Sequence, residues 1–178
     1  MAGKETLVFR TLNNRKFGNV VLIAGLLGLQ NYSFAFYTVQ QTRNKVFTKE
    51  FMHEQVHPMH MAEMGKDAVL PSFGYPDMGA GRYAKHLPYK DWYRFNCAQR
   101  VHANSVEHLS WVIPMLLCSG FFFPRFATAL GSVVLVGREL YRAGYMSPDG
   151  PNSHIREAGA IPLNIAEMLI TVSRRVAQ

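Results

Sequence analysis

The sequence predicts an all-α membrane protein, a bundle of four antiparallel transmembrane helices with a long loop between the first and the second. Three observations predict it. Apolar residues collect into four runs, although 48% hydrophobic residues overall is ordinary for a soluble chain. Polar residues concentrate in one stretch, residues 41–94. A cluster of polar and ionisable groups, Arg100, Asn104 and Glu107, leads directly into the apolar run 109–123. Charge in lipid costs several kcal/mol, about 2.5–3.5 on insertion scales, so those groups must face protein, water or a ligand.

The 178 residues suit one domain, read here as a single membrane domain over 1–178. Residues 1–16 form a basic flank with Lys4, Arg10, Arg15 and Lys16 against Glu5. That flank is open to two readings, an uncleaved targeting segment or the charged margin of a span. The first span covers residues 17–39 and lacks a small-residue cleavage pattern, so it is retained. The extended loop 41–94 opens with a short helix over 48–64 and then becomes rich in Pro and Gly over 71–82. The second span covers 105–123 and the third 126–145, separated by the short turn around Pro124, which makes an antiparallel hairpin. The fourth, 158–172, is short and carries Pro162, Asn164 and Glu167. An even number of spans puts both termini on one side and the loops 41–94 and 146–157 on the other.

A formal net charge of +7 raises the possibility of nucleic acid. No basic run is interleaved with aromatics, so no nucleic-acid partner is predicted, and the charges read as membrane-edge residues facing lipid headgroups. Two cysteines, Cys97 and Cys118, make no disulfide framework. His53, His57 and His60 have the spacing of metal ligands on a helix, but Pro58 interrupts them and no second ligand cluster completes a site. No metal is expected. The sequence has no nucleophile elbow, phosphate loop or haem-attachment motif.

Two constellations carry the functional reading. Offsets of four and three place Arg100, Asn104 and Glu107 on one helical face, with His102 on a neighbouring one. An arginine, an amide and a carboxylate together suit a small zwitterionic ligand. At the end of the third span, Arg138, Tyr141 and Tyr145 share a face. Arg156 stands just before the fourth span. Read as structure alone, these groups are helix–helix polar contacts and an interfacial belt of tyrosine and arginine.

The string Phe95-Asn96-Cys97-x-Gln99-Arg100-x-His102-x-Asn104-x-x-Glu107 resembles the signature of the membrane-associated proteins of eicosanoid and glutathione metabolism, the MAPEG family. The likeness is to its microsomal glutathione S-transferase 3 type. The stretches Tyr75-Pro76-Asp77-Met78-Gly79, Tyr89-Lys90-Asp91-Trp92-Tyr93, Gly137-Arg138-x-x-Tyr141-x-x-Gly144-Tyr145 and Arg156-x-x-Gly159-Ala160 are similar to it as well.

The resemblance implies a four-helix bundle assembled as a homotrimer, with glutathione as co-substrate held between neighbouring subunits. It implies glutathione contacts from Arg43, Arg100, His102, Asn104, Glu107, Arg138 and Tyr141, and gives Arg156 and Tyr145 to the chemical step at the sulfur. The implied activity is a glutathione transferase or peroxidase of lipophilic electrophiles or lipid hydroperoxides. The implied location is the endoplasmic reticulum or the mitochondrial inner membrane. Asn44 and His108 depart from the family pattern, and the loops 41–94 and 146–157 are enlarged. Those departures keep a second reading open: an accessory subunit that retains the bundle among unlike subunits of a larger membrane assembly, such as a respiratory complex.

Overall fold

The computed structural model describes residues 15–173. All regular structure among them is helical. The chain forms α1 (Arg15–Ser33), α2 (Gln41–Val46), α3 (Lys49–Phe51), α4 (His57–Met64), α5 (Tyr89–Phe122), α6 (Pro124–Tyr145) and α7 (His154–Val172). Wide π-helical turns, Phe34–Gln40 and Met52–Val56, join α1 to α2 and α3 to α4. The N-terminal flank lies outside the described residues, apart from Arg15 and Lys16 at the start of α1.

The helices begin earlier or run further than apolar length alone predicts. The first continues through the π turn to Val46, and α5 starts at Tyr89 rather than near residue 105. The helical stretch Arg15–Val46 and α5 are both long and apolar enough to cross a membrane. The predicted helix 48–64 is present as α3, a π turn and α4, with Pro58 in the first turn of α4, where its missing N–H costs nothing. Thr48 starts α3: its hydroxyl accepts from the Phe51 N–H at 3.2 Å. The Glu50 carboxyl is held below the usual carboxylate range by its own backbone N–H and by the Thr48 hydroxyl. Pro124 opens α6 directly after Phe123, giving the predicted hairpin.

The described residues fall into two compact units, Ser33–Ala103 in mid-chain and a flanking unit that ends at Tyr32 and resumes at Asn104. The flanking unit has one apolar core. Val20, Ala24 and Leu27 of α1 meet Leu109 and Leu116 of α5, Ala127 and Val134 of α6, and Ala166 and Ile170 of α7. Its outer surface is also apolar, with Leu22, Leu29, Val136, Ile161 and Ile165 exposed. Such a surface suits lipid or protein rather than water. Where lipid surrounds helices, burial of apolar area gives little drive to associate, and close backbone approach matters more. α6 and α7 approach through glycines: a Cβ on Gly159 would meet the carbonyl oxygen of Gly137 and the backbone nitrogen of Tyr141.

Gly159→Ala is therefore expected to destabilise the protein by about 1–3 kcal/mol, the range for overpacking. Gly28→Ala, where a Cβ has nothing within 4 Å, is expected to leave stability unchanged or raise it slightly. Thermal unfolding of the two variants in one detergent checks the contrast.

Candidate functional site

In the mid-chain unit the predicted ligand arginine, Arg43, is only 1% exposed. Phe47 just after α2, the 72–78 loop and the start of α5 enclose it. Its guanidinium lies 4.1 Å from the centre of the Tyr75 ring, 4.9 Å from Phe95 and 5.8 Å from Phe47. Aromatic faces are electron-rich, so each ring offsets part of the cost of burying the cation. Nη1 donates to the Phe73 carbonyl at 3.3 Å and Nη2 contacts the Met78 sulfur at 3.5 Å, while Nε has no hydrogen-bond partner.

The Pro- and Gly-rich loop is held by one carboxylate. Asp77 Oδ1 accepts from the backbone N–H groups of Gly79 and Gly81 at 2.7 and 2.9 Å, and Oδ2 accepts from Ala84 at 2.8 Å. The Gly79 carbonyl in turn accepts from Trp92 Nε1 and Asn96 Nδ2, both at 3.0 Å. The family-like Tyr75–Gly79 and Tyr89–Tyr93 stretches thus serve, in this unit, to fasten the loop to α5. Arg100 is exposed and His102 half-buried on the same helix, which runs unbroken through Asn104 and Glu107. His53 and His57 stack ring on ring, with centroids 5.0 Å apart. Among the described residues no group of three or more His, Cys, Asp or Glu side chains is placed to hold a metal ion.

In the flanking unit, Tyr141 and Tyr145 come together as the spacing predicts, with ring centroids 4.9 Å apart. Gly144 packs against the backbone of Arg156, and this close approach brings the Arg156 guanidinium 6.0 Å from the centre of the Tyr145 ring. Arg156 also pairs with Glu157 at 3.5 Å, and its Nε lacks a partner. Asn104 is half-buried and Glu107 exposed.

Arg138 interacts with Tyr141 and makes its hydrogen bond to a different group. Its Nη2 donates to Glu167 Oε1 at 2.6 Å, and both side chains are 2% exposed. The other carboxylate oxygen, Glu167 Oε2, lies 2.6 Å from His108 Nδ1. Three helices thus contribute one residue each to an Arg–Glu–His set, in which Arg138 and Glu167 are buried and His108 is part-exposed. Reading the sequence for ligand contacts missed this set. The signal available was Glu167 itself, because a carboxylate in the middle of an apolar helix needs a cation nearby.

Removing one member of a buried pair leaves an uncompensated charge, and the expected cost for Glu167→Leu or Arg138→Met alone is about 3–5 kcal/mol. The double variant is expected to recover most of that loss. Denaturant unfolding of the three variants in detergent provides the double-mutant cycle. In the mid-chain unit, Asp77→Ala orphans three N–H groups and is expected to raise hydrogen exchange over residues 72–84 without melting α6 or α7.

Residues 20–161 match the profile of the MAPEG family, most of the chain. No solved structure matches it. Members of that family are membrane-associated, typically trimeric, use glutathione in general, and include glutathione transferases. With its two membrane-length apolar helices and a match over most of its length, this chain belongs to the MAPEG family.

Proposed function

We propose that the protein is a membrane-embedded glutathione transferase or peroxidase acting on lipophilic electrophiles or lipid hydroperoxides. In this reading α1, α5, α6 and α7 all cross the bilayer, antiparallel in sequence order, and three copies assemble around shared glutathione sites. The observation that carries it is the polar end of α6 and α7. Tyr141 and Tyr145 lie ring to ring there and a guanidinium, Arg156, stands beside the second.

The chemistry asks little of the protein. Glutathione brings its own thiol, whose ordinary pKa is about 8.5, like that of free cysteine. A nearby guanidinium favours the thiolate, and Arg156 is given that task, with the Tyr145 hydroxyl to hydrogen-bond the sulfur. Arg100, His102, Asn104, Glu107 and Tyr141 hold the tripeptide's charged and amide groups. The thiolate then attacks an electrophilic carbon from the bilayer, either displacing a leaving group that departs with its bonding pair or adding across an activated C=C bond whose π pair then takes a proton. With a hydroperoxide it attacks the terminal oxygen. The O–O bond breaks, a lipid alkoxide leaves and takes a proton, and the glutathione sulfenic acid condenses with a second glutathione to disulfide and water.

Arg43 gives specific support to a second reading, in which the bundle is an accessory subunit of a larger assembly, such as a respiratory complex of the mitochondrial inner membrane. Its guanidinium is already engaged by Phe73, Tyr75, Met78 and Phe95 of its own unit. An arginine so occupied is a structural centre for the enlarged loop rather than a ligand contact, and a large ordered loop suits unlike neighbours.

Arg100→Ala is expected to weaken glutathione binding by about 1.5–3 kcal/mol, the value of a hydrogen bond to a charged group, read by calorimetry on the purified protein. Arg156→Leu is expected to lower turnover far more than affinity. Unchanged affinity in the first variant contradicts the ligand face, and unchanged turnover in the second contradicts the role at sulfur.

A further inference from the structure

The Arg138–Glu167–His108 set leaves Arg138 Nε buried without a hydrogen-bond partner, and at its outer edge it uses only one nitrogen of the His108 ring. Each Glu167 oxygen has a partner, Oε1 in Arg138 and Oε2 in His108 Nδ1. One carboxylate and one guanidinium already balance in charge. A proton on the second imidazole nitrogen would add an uncompensated positive charge among apolar helices, which is costly. A carboxylate oxygen accepts, so the ring hydrogen sits on His108 Nδ1 and is donated to Glu167. That fixes Nε2 as a bare acceptor, because the hydrogen bond made by one ring nitrogen sets the state of the other. Among the described residues nothing donates to Nε2. The side chain is 25% exposed while Glu167 behind it is 2% exposed, so a small outer ligand can reach the ring and not the carboxylate.

An acceptor facing apolar surroundings costs free energy until a donor meets it. Glu107 and Ser110 are exposed beside it on α5 together with Val106 and Trp111, so a ligand seated there meets polar and apolar surface together. Trp111, one turn further along α5, lies with its ring centre 6.0 Å from that of His108. The set is also remote from Arg156: eleven residues of α7 separate it from Glu167, roughly 16 Å at the helical rise.

We propose that His108, oriented by Glu167 and Arg138, is a hydrogen-bond-accepting site for the hydroxyl or hydroperoxyl head of a long-chain lipid. Its chemistry is one O–H at the end of an apolar tail, and an alcohol and a hydroperoxide both carry it. The inference rests on the proposal that α5, α6 and α7 lie in the bilayer. It does not rest on glutathione.

The test uses the full chain in nanodiscs and a brominated long-chain alcohol, with its methyl ether as the matched ligand lacking the O–H. Bromine quenches tryptophan, and Trp111 adjoins the site. Trp92, the second of two tryptophans, gives a background common to both ligands. Half-quenching is expected at about fivefold lower alcohol than ether, the effect of one hydrogen bond. His108→Phe is expected to bring the alcohol to the ether's value. In the unmutated protein, nitrogen NMR of His108 is expected to shift at Nε2 and not at Nδ1 on adding the alcohol, and to stay still with the ether. Equal quenching by the two ligands, a gap that survives His108→Phe, or an Nε2 resonance indifferent to the alcohol overturns the proposal. Long-chain hydroperoxide in the same NMR experiment separates the two sources of the O–H. Carbonate extraction of native membranes tests separately whether the helices are embedded, and glutathione enters none of these readouts.

Discussion

Arg138 and Glu167 hold each other in place because neither tolerates apolar surroundings alone. Each sits on a different helix, and the carboxylate also receives His108 from a third. Apolar side chains in a lipid-facing bundle slide past one another at small cost, since lipid tails serve as well as leucine. A charged pair with 2.6 Å contacts does not slide. The set therefore fixes the register of α5, α6 and α7. The glycines then allow the backbones to close on that register, Gly137 against Gly159 and Gly144 against Arg156. The positions of Tyr141, Tyr145 and Arg156 follow from it, one or more turns nearer the end of the bundle.

The mid-chain unit solves a related problem with different chemistry. Arg43 is as deeply buried as Arg138, yet its nearest neighbours are aromatic rings, a carbonyl oxygen and a thioether. Asp77 gives its hydrogen bonds to three backbone N–H groups, while its charge also acts on the Arg43 guanidinium. Local turn chemistry thus positions the carboxylate, and π-electron density together with that nearby charge stabilises the cation. The result is an ordered loop built around a residue that the family resemblance gives to glutathione.

The parts legible in the sequence are those that depend on one helix at a time. The apolar runs fell within α1, α5, α6 and α7, Pro124 marked the turn into α6, and an offset of four paired Tyr141 with Tyr145. Helix ends were less legible, for a physical reason. Hydropathy sees the lipid-facing stretch, whereas residues 89–104 are polar and helical because Phe95, Ala98 and Val101 pack inward at helical spacing. The partners of charged residues were not legible at all. Glu167 stood out as anomalous, but its pairing with Arg138, 29 positions away, requires the relative register of two helices. The same holds for Arg43, whose cage, apart from Phe47, comes from residues 30 to 52 positions further along the chain.

In the proposed function the polar end of α6 and α7 makes a thiolate, with Arg156 as the stabilising cation. Rapid mixing of the purified protein with glutathione, followed in the ultraviolet where a thiolate absorbs and a thiol does not, tests this most directly. The account predicts thiolate absorbance at neutral pH that saturates with glutathione and disappears in Arg156→Leu. Absorbance no greater than that of free glutathione at the same pH would contradict it.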